Sequence, residues 1–122
     1  MAKHLSIGKK GEEIAIEFLK KDGFEILETN WRHKKLEVDI IAKDGETLVF
    51  IEVKTRSTDF FGLPEEYVDY KKEKHLVNAA TEYMISVNHE WAFRFDVVAI
   101  LLRNENDWKV NHIKDAFFPG LA

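Results

Sequence analysis

The strongest constraint on the fold of this chain is the dipeptide Asp44-Gly45, set between two β-rich runs, Leu36 to Lys43 and Glu46 to Lys54. Asp-Gly suits a type I′ turn, in which both central residues take positive φ, so the two runs are expected to form an antiparallel hairpin. With Asp44 and Gly45 as the loop, Lys43 pairs with Glu46, Asp39 falls opposite Phe50, and Glu37 falls opposite Glu52. Side chains alternate between faces, which places Glu37, Asp39, Phe50, Glu52 and Lys54 together on one of them. Asp39 and Glu52 are then diagonal neighbours with Cα atoms about 7 to 8 Å apart, and both carboxylates can reach a common cation.

The rest of the chain supplies partners for that hairpin. From Ile7 to Asp22 the positions Ile7, Gly11, Ile14, Ala15, Phe18 and Leu19 recur at helical spacing, with Ser6 as N-cap and Gly23 as C-terminal stop. Phe24 to Trp31 reads as a strand, followed by a basic turn at Arg32, His33, Lys34 and Lys35. Residues 55 to 64 read as a loop, after which Asp69 caps a second helix running to about Val87 with the stripe Leu76, Ala79, Ala80 and Tyr83. Ala92 to Leu102 is strongly β in character, residues 104 to 107 read as a turn, and Trp108 to Ile113 reads as a last strand. The order αβββαββ predicts an α/β fold, a sheet with helices on its faces.

Composition narrows the function. A chain of 122 residues is expected to hold one core and one domain. Eighteen basic against 22 acidic side chains leave a net charge of -4, the wrong sign for coating nucleic acid without specificity. The absence of cysteine excludes disulfide frameworks, cysteine zinc sites, iron-sulfur clusters and thiol nucleophiles. No uncharged apolar run reaches about 18 residues, and Met1 to Lys10 lacks a secretory h-region, so a soluble cytoplasmic protein is expected. Dinucleotide fingerprints, phosphate-binding Gly-Lys-Ser/Thr loops, nucleophile elbows and His-Glu-x-x-His are all missing.

The acids of the hairpin stand out against this background. Val49, Ile51 and Val53 make one face of their strand apolar, and Leu48 and Phe50 begin the other in the same way, as in a central strand covered on both sides. Carboxylates at the end of such a strand carry a desolvation cost unless something compensates. A divalent cation would turn the repulsion between them into attraction, and Lys54 could neutralise one carboxylate or hold a water or a phosphate oxygen. For Glu52-x-Lys54 taken alone, a solvated cross-strand ion pair is the simpler account. Asp39 at hairpin spacing brings the metal reading level with it. Glu12 lies at the margin of the first helix's apolar stripe, where an acid favoured by the helix dipole is the alternative. Lys72 interrupts the stripe of the second helix between Val68 and Leu76, where a snorkelling lysine is the alternative. His4, His33, His75, His89 and His112 show no metal-ligand spacing and are assigned surface or packing roles. Arg94 and Asp96 share a strand face and are read as an ion pair, while Trp31, Phe60 and Phe61 are read as core-covering side chains.

A set of motifs then points to a family. Gly8-x-x-Gly11-Glu12-x-x-Ala15, Gly23, Asn30-Trp31-Arg32, Glu37-Val38-Asp39, Phe50-Ile51-Glu52-Val53-Lys54-Thr55-Arg56, Phe61-Gly62-x-Pro64-x-Glu66, Lys72 and Arg94-Phe95-Asp96-Val97 occur in that order. Together they resemble the YraN-like bacterial family, which is similar to the PD-(D/E)xK nucleases and to archaeal Holliday-junction resolvases. The resemblance implies a restriction-endonuclease-like fold with a mixed sheet of four or five strands. It further implies a metal-dependent nuclease that hydrolyses phosphodiester bonds in DNA, branched or single-stranded, or else a non-catalytic nucleic-acid-binding or partner-binding module on the same fold. Carried onto this sequence, Asp39 and Glu52 would bind Mg2+ or Mn2+, Lys54 would be the active-site lysine, and Glu12 would be a further catalytic acid and metal ligand. Arg32, Lys34, Lys35, Arg56 and Lys72 would contact phosphates, with Lys71 and Lys74 as solvated charges. Dimers among junction-cleaving relatives imply a homodimer as a possible assembly. Val38 stands where many such nucleases carry proline, and Leu36 stands where glycine is expected before Glu37.

Overall fold

The computed structural model describes residues 3–57 and 70–117, with the side chains of residues 3–6 left out. Helix α1 (Lys3–Lys21) is followed by strands β1 (Glu25–His33), β2 (Leu36–Asp44) and β3 (Thr47–Arg56), helix α2 (Tyr70–Ser86), and strands β4 (Phe93–Asn104) and β5 (Asp107–Ile113). The order αβββαββ is the one expected from the sequence. The strands form one mixed sheet in the order β1-β2-β3-β4-β5. Among the described strands only the β3–β4 pair is parallel, and α2 lies within the connection that such a pair requires.

Both helices end on the same hydrogen-bond pattern. At the end of α1, Gly23 takes φ +90°, its N–H donates to Lys20 O at 3.0 Å, and the Phe24 N–H donates to Leu19 O at 2.9 Å. This is a Schellman motif whose accompanying apolar contact is the buried pair Leu19 and Phe24. Asn88 plays the part of Gly23 after α2, at φ +56°.

One helix covers each face of the sheet. Ile14, Ala15 and Leu19 of α1 pack with Ile40, Ala42, Val49, Ile51, Val98 and Ile100. Leu76, Ala79, Ala80 and Tyr83 of α2, the stripe read from the sequence, pack on Val38, Ile41, Leu48, Phe50, Phe95 and Val97. Strand β3 is therefore central and buried on both faces, as its continuous apolar run required.

Several boundaries differ from expectation. Helix α1 begins at Lys3, so residue 6 is internal to it and does not serve as N-cap. Arg32 and His33 belong to β1, and only Lys34 and Lys35 form the turn, with Lys34 at φ +58°. The expected cap Asp69, the apolar stripe position Val68, Phe60 and the motif Phe61-Gly62-x-Pro64-x-Glu66 lie outside the described residues.

The hairpin register is also corrected. Asp44 pairs with Thr47 and Ile41 with Phe50, so the two loop residues are Gly45 and Glu46. Gly45 has φ +64° while Glu46 is not in the positive region, the sign pattern of a type II′ turn. Asp44 remains in the strand, where its carboxylate meets Arg94 Nη1 at 2.9 Å. Glu37 is consequently not opposite Glu52, nor Asp39 opposite Phe50. One step beyond the last ladder pair, Ile40 with Ile51, Asp39 comes level with Glu52.

Candidate metal and nucleic-acid site

Asp39 sits at a break in strand alternation. Val38 and Ile41 both pack toward α2 whereas Ile40 packs toward α1. Across the ladder, between the pairs Thr29–Ile40 and Trp31–Val38, Asn30 takes φ +50°. The β2–β3 ladder stops at Ile40, and the Val53 N–H donates at 2.8 Å to Asp39 Oδ2 instead of to a backbone carbonyl. That bond aims the carboxylate toward β3.

Glu52 is one of only two buried acidic residues among those described, at 6% exposure. Its Oε2 lies 3.3 Å from Lys72 Nζ of α2 and 3.6 Å from Lys54 Nζ of its own strand. Burial first, and then the nearby Asp39 charge, push the Glu52 carboxyl above its usual range, against the opposing pull of Lys72 and Lys54. Burial also raises Asp39, with Glu37 adding to it, while the Val53 N–H and the two ammonium groups work the other way. The pair is therefore charge-frustrated: two carboxylates compete for two ammoniums and still bind protons more readily than in water.

Glu12 does not join them. Its Oε1 accepts a 2.6 Å hydrogen bond from Asn30 Nδ2. Asn30 in turn falls level with Asp39, between the ladder pairs Thr29–Ile40 and Trp31–Val38. Among the described residues no group of three or more His, Asp or Glu gathers in a way that could hold a metal. Two carboxylates nevertheless fit Mg2+ or Mn2+. Such hard cations take oxygen donors, and Mg2+ is commonly bound through one or two carboxylates with water and substrate phosphate completing its shell.

The basic residues flank this end of the sheet. Arg32, Lys34 and Lys35 surround the β1–β2 turn, and Arg56 closes β3, whose C-terminal end is beside the start of β2. Arg32 Nε lies 3.4 Å from Glu37 Oε2, and Arg56 Nη1 donates to Thr55 O at 3.2 Å. Lys72 points at Glu52 and so belongs to the carboxylate site. Trp31 is partly buried against Tyr83, as expected of a core-covering side chain.

Sequence reasoning missed two features. Gly11 lets α1 lie directly on β3: a Cβ there would come within 2.8 Å of Thr55 Cγ2 and 2.9 Å of Thr55 Cβ. On the α1 face, opposite the carboxylate pair, Asp96 is 1% exposed and fully engaged. Arg94 Nε donates to it at 2.9 Å, His112 Nε2 lies 2.8 Å away and the Asp115 N–H donates at 3.0 Å. Burial pushes the Asp96 carboxyl up, but these partners outweigh it and hold it below the usual carboxylate range. The Arg94–Asp96 ion pair was legible, yet His112, buried between Phe18 and Phe24, carried no spacing signal. His75 accepts the Glu37 N–H at 3.2 Å, His89 contacts Ala92 O at 2.8 Å, and His33 lies 3.9 Å from Glu82.

With this geometry in place, comparison with known proteins is decisive on ancestry. The model of the uncharacterised protein family UPF0102 matches residues 11–100. The chain belongs to UPF0102, the YraN-like family. A UPF0102 protein of Christiangramia forsetii is 49% identical over 118 residues, 97% of this chain and 98% of the relative. A UPF0102 protein of Caldicellulosiruptor bescii is 48% identical over 115 residues, 91% of this chain and 96% of the relative. The span matched by UPF0102 runs from Gly11 to Ile100, so it takes in Glu12, Asn30, Asp39, Glu52, Lys54, Lys72 and Asp96, and stops before His112. Among the described residues, no helix is long and apolar enough to cross a membrane.

Proposed function

We propose that this protein is a divalent-cation-dependent phosphodiesterase acting on DNA, branched or single-stranded. The observation that carries the reading is the Asp39–Glu52 pair, with Asp39 held by the Val53 N–H and Glu52 buried beside Lys54 and Lys72. Mg2+ or Mn2+ held by Asp39 and Glu52 would supply Lewis acidity toward a phosphodiester and its attacking water. Asp39 is oriented for this by the Val53 N–H. Lys54, fixed in the β3–β4 ladder beside Glu52, places an ammonium where it can position water or stabilise charge on a phosphate oxygen. Glu12 acts through Asn30 and the β1 kink, orienting the strand segment across from Asp39. Arg32, Lys34, Lys35 and Arg56 bind the flanking phosphates.

A non-catalytic module that binds nucleic acid or a protein partner is favoured by one observation, the separation of Glu12 from the other two acids. Linear, single-stranded, flapped and four-way DNA incubated with Mg2+ or Mn2+ separates the readings. Cation-dependent product that disappears in Glu52→Ala and Lys54→Ala is the expected result. Product that persists unchanged in both variants overturns the proposal, and retention of DNA without product favours the binding module.

A further inference from the structure

Glu52 is buried on a central strand, yet the nearest cation to it comes from a different element. Lys72 is the third residue of α2 and reaches Glu52 Oε2 at 3.3 Å, closer than Lys54, its neighbour on the same strand. The lysine lies one helical turn before the buried stripe Leu76, Ala79, Ala80 and Tyr83, and there its ammonium meets the Glu52 carboxylate. A buried acid without a counter-charge is strongly disfavoured, and an ammonium on a flexible four-carbon stem meets that need reversibly. Helix α2 has other anchors on the sheet: Leu76, Ala79 and Ala80 are buried, and His75 holds the Glu37 N–H. Withdrawal of Lys72 from Glu52 therefore leaves the helix docked.

We propose that Lys72 is a tethered counter-ion for Glu52, whose ammonium holds the carboxylate in the metal-free protein and gives way when Mg2+ or Mn2+ binds. This rests on the metal reading above and adds a regulation to it. An ammonium and a divalent cation on the same carboxylate oxygen repel each other, so each weakens the binding of the other. Lys54 differs in lying farther from that oxygen, at 3.6 Å, and on the strand that carries Glu52 itself.

The test is calorimetric titration of Mn2+ into the full chain and into Lys72→Met, Lys72→Gln and Lys72→Arg proteins. Loss of the competing charge is expected to tighten Mn2+ binding by about tenfold in Lys72→Met and Lys72→Gln, with Lys72→Arg close to wild type. Glutamine keeps a hydrogen-bond donor toward Glu52, so it preserves the test should the methionine variant fold poorly. Mn2+ binding to wild type that is unchanged or weaker in both neutral variants overturns the counter-ion role and leaves the metal reading standing. Absence of Mn2+ binding from wild type and every variant overturns both.

Discussion

The Asp39 carboxylate accepts the Val53 N–H at 2.8 Å, in the place where the β2–β3 ladder would otherwise continue through a backbone carbonyl. A side chain thus ends a backbone ladder, and the point where it does so is level with Glu52. Breaking a ladder leaves a donor that must be satisfied, and satisfying it with a carboxylate fixes that carboxylate next to a second acid. The strand irregularity and the candidate site are one structural event.

The pH dependence of stability is expected to carry the mark of this pair. Asp39 and Glu52 have folded-state carboxyls raised above their ordinary values of 3.8 and 4.5. Their contribution is fully present below those values and is lost as pH rises through the raised ones. In metal-free protein, Asp39→Asn is expected to gain in melting temperature relative to wild type as pH is raised from about 4 to 7. Thermal unfolding across that range checks it, and a gain that shrinks with rising pH contradicts it.

Asp96 is expected to show the opposite sign. Its carboxyl is held low, so its contribution is present above its ordinary value of 3.8 and lost as pH falls through the lowered one. Asp96→Ala leaves Arg94 and His112 without their buried partner and is expected to cost about 3 to 5 kcal/mol at pH 7. Urea unfolding at pH 7 measures the loss, and the gap from wild type is expected to narrow toward strongly acid pH.

Gly11→Ala separates close packing from helix propensity. In open helix, alanine would stabilise relative to glycine by about 0.8 to 1 kcal/mol. Against Thr55, the added methyl forces α1 and β3 apart and is expected to destabilise by about 1 to 3 kcal/mol. The double variant Gly11→Ala, Thr55→Ala removes the hydroxyl and methyl that the new Cβ meets. It is expected to recover part of the loss in a denaturant-unfolding cycle.

Glu12 provides a test of which acids form the site. Since it is bonded to Asn30 and stands apart from Asp39 and Glu52, Glu12→Gln is expected to leave Mn2+ affinity unchanged. Asp39→Ala and Glu52→Ala are expected to abolish Mn2+ binding. Calorimetry on the three proteins decides, and loss of affinity in Glu12→Gln assigns Glu12 a place at the metal.

The stripe Leu76, Ala79, Ala80, Tyr83, the Gly23 stop and the double-sided burial of β3 were all legible because each follows from a period or a backbone preference local to one element. Strand alternation along the hairpin placed Asp39, Glu52 and Lys54 on one face in the same way. The register was read two residues out of place because Asp-Gly satisfies a turn whether or not Asp belongs to it. In the structure Asp44 stays in the strand, where it meets the Arg94 guanidinium, fifty residues later in the chain. A two-residue slip preserves side-chain parity, so Asp39 and Glu52 stay neighbours on one face in spite of it.

By itself, then, the sequence determined the element order, the helical stripes and the identity of the paired acids, since hydrophobic period and turn chemistry act over a few neighbours. Only the tertiary structure decided that Lys72 crosses from α2 to Glu52 and that His112 is buried against Asp96. Those contacts depend on how strands and helices stack. Long-range electrostatic pairing in a low-dielectric interior leaves no periodic trace in the order of residues.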